Sequence, residues 1–449
     1  MKKLWEKQEN ALTSAVEAFT VGQDRIWDLH LAPFDVLGSI AHVTMLAETG
    51  LLPGADAKVL VQGLREVYAE ILSGTFTLEE GVEDVHSQVE LLLTRRFGEA
   101  GKKIHMARSR NDQVLVDLRL YLRDEILKTV QSTRSLFDLL QEQSERFKDR
   151  LMPGYTHLQL AMPSSFGLWF GAYAESLVDD LVTLQGAFEV VDRNPLGSAA
   201  GFGSSFPINR TRTTELLGFS GLSYNVVYAQ MGRGKSERIT AMALANLADT
   251  LGRLSMDACL FLNQNFDFIA FPTELTTGSS IMPHKKNPDV FELIRSRCNR
   301  LKALPNEILM MTTNLPSGYH RDLQILKEHL FPAFNELQSC MEMAVLMLSR
   351  IEVKPALLEN PKYRYLFSVE EVNRRVLAGM TFRDAYREVG LEIDQDRFEA
   401  KPAELRHTHE GSLGHLCNRE IRERMNQVIG RFPEQKIQAT LQSLTSAQG

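Results

Sequence analysis

Four stretches of this sequence carry their apolar residues at steps of three and four over long distances, and that spacing limits the possible folds more than any other feature. One run is Phe170, Tyr173, Leu177, Leu181, Leu184, Phe188 and Val191; another is Leu244, Leu247, Leu251, Leu254, Ala258 and Leu262. A third is Leu323, Leu326, Leu330, Phe334, Leu337 and Met341, and a fourth is Leu115, Leu118, Leu122, Ile126 and Val130. Residues so spaced share one face of an α-helix. Pro332 lies inside the third run and predicts a kink there. Runs of about 20–30 residues predict helices roughly 30–45 Å long. Such helices are held by packing along one another or against a second chain. Strand-type alternation is scarce, so the expected class is all-α, a bundle of long helices.

The chain has 449 residues, 44% of them hydrophobic, which is enough for a large core. Its formal net charge of -7 and the lack of a long basic run give no footprint for nucleic acid. The four cysteines, Cys259, Cys298, Cys340 and Cys417, form no CxxC pair, which fits a reducing compartment rather than a disulfide framework. The first residues are charged and lack an apolar signal core. No stretch of about 18 apolar residues stands out as a membrane span. The expectation is a cytoplasmic, soluble protein with neither nucleic acid nor membrane as partner.

Polar connectors rich in Gly, Pro and Ser cover 152–157, 194–205 and 277–288. Connectors of that length are more often functional than passive. In the third, Gly278-Ser279-Ser280 leads to His284-Lys285-Lys286-Asn287-Pro288-Asp289. Asn287 is a candidate N-cap with Pro288 at the first helical position, which places a cation and an amide beside a helix N-terminus that attracts anions. An ordinary loop-to-helix cap accounts for the same residues. A second polar segment runs Ala107-Arg108-Ser109-Arg110-Asn111-Asp112-Gln113. Its arginine and neighbouring donors suit a dicarboxylate, although Asn111 or Asp112 can equally be a helix cap. A third carries Tyr155-Thr156-His157, and a fourth reads Tyr319-His320-Arg321-Asp322-Leu323-Gln324-Ile325-Leu326-Lys327.

The 278–289 segment resembles the signature loop of the fumarase/aspartase superfamily, whose members eliminate fumarate by removing a proton from the carbon beside a carboxylate. The segments around Ser109 and His157 are similar to those of the argininosuccinate lyases within it. The resemblance covers nearly the whole chain and is densest from about residue 80 to 330. It implies a three-domain subunit, divided near 1–107, 108–354 and 355–449, whose long central helices join those of three other copies in a homotetramer. Each active site would then draw on three subunits. It implies Ser279 as general base and Lys285 and Asn287 as carboxylate ligands. Ser109, Arg110 and Asn111 would contact the fumarate half of the substrate, and Thr156 would bind a carboxylate. His157, paired with Glu292, would assist proton transfer to the leaving guanidino nitrogen. Asp28, Arg233, Tyr319, Gln324 and Lys327 would bind the rest of the substrate, with Asp84 and His86 either supporting them or capping a helix. No cofactor and no metal is called for.

The implied reaction is the last step of arginine biosynthesis, argininosuccinate to arginine and fumarate; the alternative within the superfamily is a lyase such as adenylosuccinate lyase. Deprotonating a carbon acid beside a carboxylate builds a doubly charged intermediate, which preorganised cations and N–H donors must stabilise. A serine base needs its pKa lowered by such surroundings, and the leaving nitrogen needs a general acid. The sequence departs from the family at four places. Asp24 stands where a substrate-binding serine is usual, His284 where glutamine is, and Ile325-Leu326 where Glu-Asp is. Arg233 has glycine neighbours instead of aspartate. Two other readings compete. Residues 229–236 mimic a phosphate loop after a possible strand at 224–228, without the parallel sheet such a loop needs. His407, His409, His415 and Cys417 lack the spacing of a metal site. A non-catalytic scaffold of the same fold would have no need of Ser279, Lys285, Asn287, Arg110 and His157.

Overall fold

The computed structural model of the chain describes residues 14–399, 405 and 407–446. All four apolar runs lie on helices: Arg110–Arg146, Phe166–Val191, Lys235–Leu262 and Leu326–Ser349. The first is 37 residues long with no Gly or Pro inside, about 55 Å at 1.5 Å per residue. It starts with a capping box, in which Ser109 and Asp112 each satisfy a backbone N–H. Pro332 sits within the last helix, and Leu323 belongs to a 3-10 turn, Arg321–Ile325, that leads into it. The four helices pack along one another, joined by Asp289–Leu301. Their inward faces make one continuous core, in which Tyr121 and Phe331 lie with ring centroids 4.0 Å apart.

A second core is N-terminal. Asp24–Glu48, Gly54–Leu72 and Val85–Phe97 pack around Val36, Ile40, Leu60, Leu64 and Val89. Helix contact there is close enough to require a glycine: a Cβ on Gly63 would lie 2.2 Å from the Phe97 ring. By length and hydropathy Asp24–Glu48 meets the criterion for a membrane span, contrary to the sequence reading, but 78% of its apolar window is buried inside the fold. It is the core helix of this domain, with Asp28, Asp35 and His42 buried along it.

The 152–157 connector departs most from expectation. Leu151–Thr156 pairs antiparallel with Gln159–Ser165 as a hairpin. His157 and Leu158 at its tip both have positive φ, 53° and 58°, as a two-residue turn with the right twist demands. The phosphate-loop mimic is also resolved. Residues Val226–Met231 are helical, capped by Asn225, so the possible strand at 224–228 does not form; the nearest strand before the glycines is the two-residue Gly221–Leu222. Gly234 has φ 80° and begins the Lys235–Leu262 helix.

Candidate active site

An open cleft of about 660 Å³ lies where the N-terminal helices meet the start of the Arg110–Arg146 helix and the 319–327 segment. Asp28, Arg110, Asn111, Arg233, Tyr319, Gln324 and Lys327 line it together with Asp24, Glu83, Asp84, His86 and Arg321. Seven of the residues singled out for substrate binding therefore share one wall system, although they are up to 299 positions apart in sequence.

On one side the capping box fixes Arg110 at a helix start. Its Nη1 donates to Asp84 Oδ1 at 2.5 Å. The same carboxylate oxygen accepts the Ser87 backbone N–H at 2.7 Å and so caps Val85–Phe97. Burial opposes the charge on Asp84, but His86 and Arg110 outweigh it and hold the carboxyl below its ordinary value. Asp112 Oδ2 accepts the N–H groups of Gly197 and Ala199, at 2.9 and 2.8 Å, and so anchors the 194–205 connector beside the site.

Behind this wall lies a buried ion network. His86 Nδ1 is 2.8 Å from Asp35 and 3.5 Å from Asp117, Gln113 Nε2 donates to Asp35 at 2.6 Å, and Arg108 Nη1 donates to Ser39 at 3.0 Å. Burial disfavours a charged His86, yet Asp35 prevails and raises its pKa above the ordinary value. Asp117 is pushed well above the usual carboxylate range by burial and by Asp35. Asp35, His86 and Asp117 have ligand-type atoms within 4.8 Å of one another. The hydrogen bonds of His86 and Gln113 to Asp35 and the nearby Arg108 charge suit a buried ion pair better than a divalent cation, with Asp117 beside it. The 407–417 histidines form no such group among the described residues; His407 lies 3.2 Å from Glu370.

The opposite side is anchored by Lys327, which is buried and paired with both Asp24, at 2.5 Å, and Asp28. Gln324 donates to the Thr20 and Val21 carbonyls at 3.0 and 3.3 Å. Arg233 is 6% exposed; its Nη2 donates to the Leu323 carbonyl at 3.1 Å and its guanidinium lies 5.6 Å from the Tyr319 ring centroid. Its Nε and Nη1 have no partner. Unpaired guanidinium donors at a cleft favour an anion. The Glu-Asp pair absent from 325–326 is no loss to this wall. Ile325 is 43% exposed and Leu326 is in the core, and neither faces the cleft. Glu83 and Arg321, joined at 3.1 Å, were not singled out from sequence. Their place in the Glu83-Asp84 and Tyr319-Lys327 segments was the available signal.

The remaining predicted residues are not in this cleft. Ser109 is the helix cap, its Oγ accepting from the Asn111 N–H at 3.3 Å. Thr156 and His157 are exposed at the hairpin tip, and Glu292 is exposed in the first turn of Asp289–Leu301. The signature loop stands out from the chain, closed by a bridge between Thr277 and Asn287. Lys285 is exposed on it. Ser279 Oγ accepts from the N–H groups of Ile281 and Met282 at 3.3 and 3.1 Å, donors of the kind that favour a serine alkoxide. Asn287 is not an N-cap. The helix starts at Asp289 without a side-chain cap, and Asn287 Nδ2 donates to Gly278 O at 3.2 Å, tying the two loop arms together.

A family model described as Lyase matches residues 3–302. The chain is similar to an argininosuccinate lyase of Parabacteroides distasonis, 59% identical over 97% of each chain. It is 58% identical to one of Bacteroides fragilis over 99% of each. Its fold is similar to that of an EDDS lyase crystallised with formate, with TM-score 0.77, 21% identity, and coverage of 97% of this chain and 95% of the other. A class II fumarase of Schistosoma mansoni superposes with TM-score 0.71 at 15% identity, covering 95% and 96%. Near-complete coverage at 58–59% identity, on a helical fold shared with these structures and with a charge-lined cleft at its helix starts, leads to one conclusion: this chain belongs to the argininosuccinate lyase family.

Proposed function

We propose that the chain catalyses the reversible elimination of argininosuccinate to arginine and fumarate, as the last step of arginine biosynthesis. The observation that carries this reading is the cleft in which Arg110 and Asn111 face Asp28, Arg233, Tyr319, Gln324 and Lys327. A substrate with carboxylates at both ends and cations between them finds opposite charges along it. Ser279 takes the proton from the carbon beside the carboxylate. Lys285 and Asn287, with Ser109, Arg110, Asn111 and Thr156, stabilise the doubly charged intermediate. His157, paired with Glu292, supplies the proton that the departing guanidino nitrogen needs. Relatives carrying the argininosuccinate lyase name favour this substrate over adenylosuccinate. Adding argininosuccinate, adenylosuccinate or aspartate to purified protein and following fumarate absorbance tests the assignment. Release from argininosuccinate alone is expected; release from another substrate alone overturns it.

The active form in this reading is a homotetramer whose sites are each built from three subunits. Two features support it. Ser279, Lys285, Thr156, His157 and Glu292 lie outside the cleft of their own chain. The long helices also expose large apolar residues, among them Val182, Met242, Met256, Met343 and Leu346, which a partner's helices would cover. The division near 107 and 354 separates the N-terminal helices and the C-terminal segment from this bundle. The four free cysteines fit a cytoplasmic location.

A further inference from the structure

The cleft wall holds one more carboxylate than its internal cation uses. Asp24 and Asp28 are four residues apart on one helix and so share a face. Both point at the single ammonium of Lys327. One carboxylate neutralises it; the second, Asp24, has no cation hydrogen-bonded to it alone, and Arg233 acts on it only through space. Asp24 is the more open of the two, with its side chain 19% exposed against 4% for Asp28. The other cation in reach, Arg233, makes its hydrogen bond to the Leu323 carbonyl instead. In the reading above, the leaving half of the substrate is an amino acid, with an ammonium and a carboxylate on one carbon. Its carboxylate is the natural partner of Lys327, and a lysine takes it at the expense of one aspartate.

We propose that Asp24 is a specificity-determining residue: the substrate's α-carboxylate displaces it from Lys327, and it then accepts the α-ammonium. Asp28 stays on Lys327 and keeps the buried cation neutralised. This inference rests on argininosuccinate as the substrate. Its test compares binding of L-arginine and of its des-amino analogue, guanidinopentanoate, by calorimetry on the assembled enzyme. Asp24→Asn should weaken arginine about tenfold, the loss of one charge-assisted contact in a partly screened site, and change the analogue by less than about twofold. Asp24→Glu should restore part of the preference. Equal weakening of both ligands, or no change in either, overturns the role of Asp24 while the parent's fumarate release still supports the substrate. If Asp24→Asn does not fold, a parent that binds arginine and the analogue equally well overturns it. A parent that releases no fumarate from argininosuccinate overturns both.

Discussion

Arg110 and Asp84 form an ion pair at 2.5 Å across the mouth of the cleft, and the same Asp84 oxygen caps the Val85–Phe97 helix. One carboxylate thus sets both the position of a cleft-lining guanidinium and the start of the helix behind it. The two roles separate by substitution. Asp84→Asn keeps a good cap and removes the charge, so stability should change by less than about 1 kcal/mol while kcat/KM falls roughly tenfold. Asp84→Ala should lose the cap as well, at about 0.5–2 kcal/mol. Denaturant unfolding alongside fumarate release checks both; equal stability of the two variants would refute the capping role.

Ser279→Ala removes the proposed base and leaves the loop's other hydrogen bonds, between Thr277, Asn287 and Gly278, in place. Turnover should fall by at least about 10³-fold, with KM little changed and the oligomer intact by sedimentation. Turnover near the parental rate would move the base elsewhere.

The helices were legible because their period is written in the sequence: each apolar run from Leu115 to Met341 is the buried stripe of a helix. The hairpin at 151–165 was not, because its buried residues, Met152, Pro153, Pro163 and Ser165, make no alternating apolar stripe, and Pro153, Gly154 and Pro163 read locally as a loop. The cap assigned to Asn287 failed because its amide is used across the loop, a tertiary choice that local sequence does not encode. Resemblance supplied Asp28 and Lys327, and only coordinates join Asp24 to them. The buried network behind His86 was legible in part. Asp84 and His86 were picked out by motif, whereas Asp35 and Asp117 each sit on a separate long helix with nothing local to mark them as partners.

That network gives the fold a pH dependence of known sign. His86 has a folded pKa raised above 6.5 by Asp35. Its contribution is therefore fully present below pH 6.5 and is lost as pH rises through the higher folded value. His86→Gln leaves the Asp35 carboxylate buried without that cation, at a cost of about 3–5 kcal/mol below pH 6.5. The difference in stability between parent and variant should narrow as pH rises from 6.5, in thermal or denaturant unfolding. A difference independent of pH across that range would mean that His86 is neutral in the fold.

Shared sites make a sharper prediction than loss of function. His157 sits at a hairpin tip and Ser279 on a projecting loop, both away from the cleft lined by Arg110 and Lys327. If different subunits bring them to one site, His157→Asn and Ser279→Ala are each inactive alone, yet a mixed oligomer contains some sites with both residues intact. Random assembly of equal amounts gives roughly a quarter of parental activity, because each of the two contributing chains has an even chance of being the right one. Co-expression, or unfolding and refolding of the mixture, should recover that activity, and mixing without subunit exchange should not. Two variants within the cleft wall of one chain, such as Arg233→Met with Lys327→Met, make the control. Every chain in that mixture carries one defect in its own wall, so no activity should return, and recovery of about a quarter would mean that the wall is itself divided between subunits. A mixture of the His157 and Ser279 variants that stays inactive after refolding would place both residues in one subunit's site.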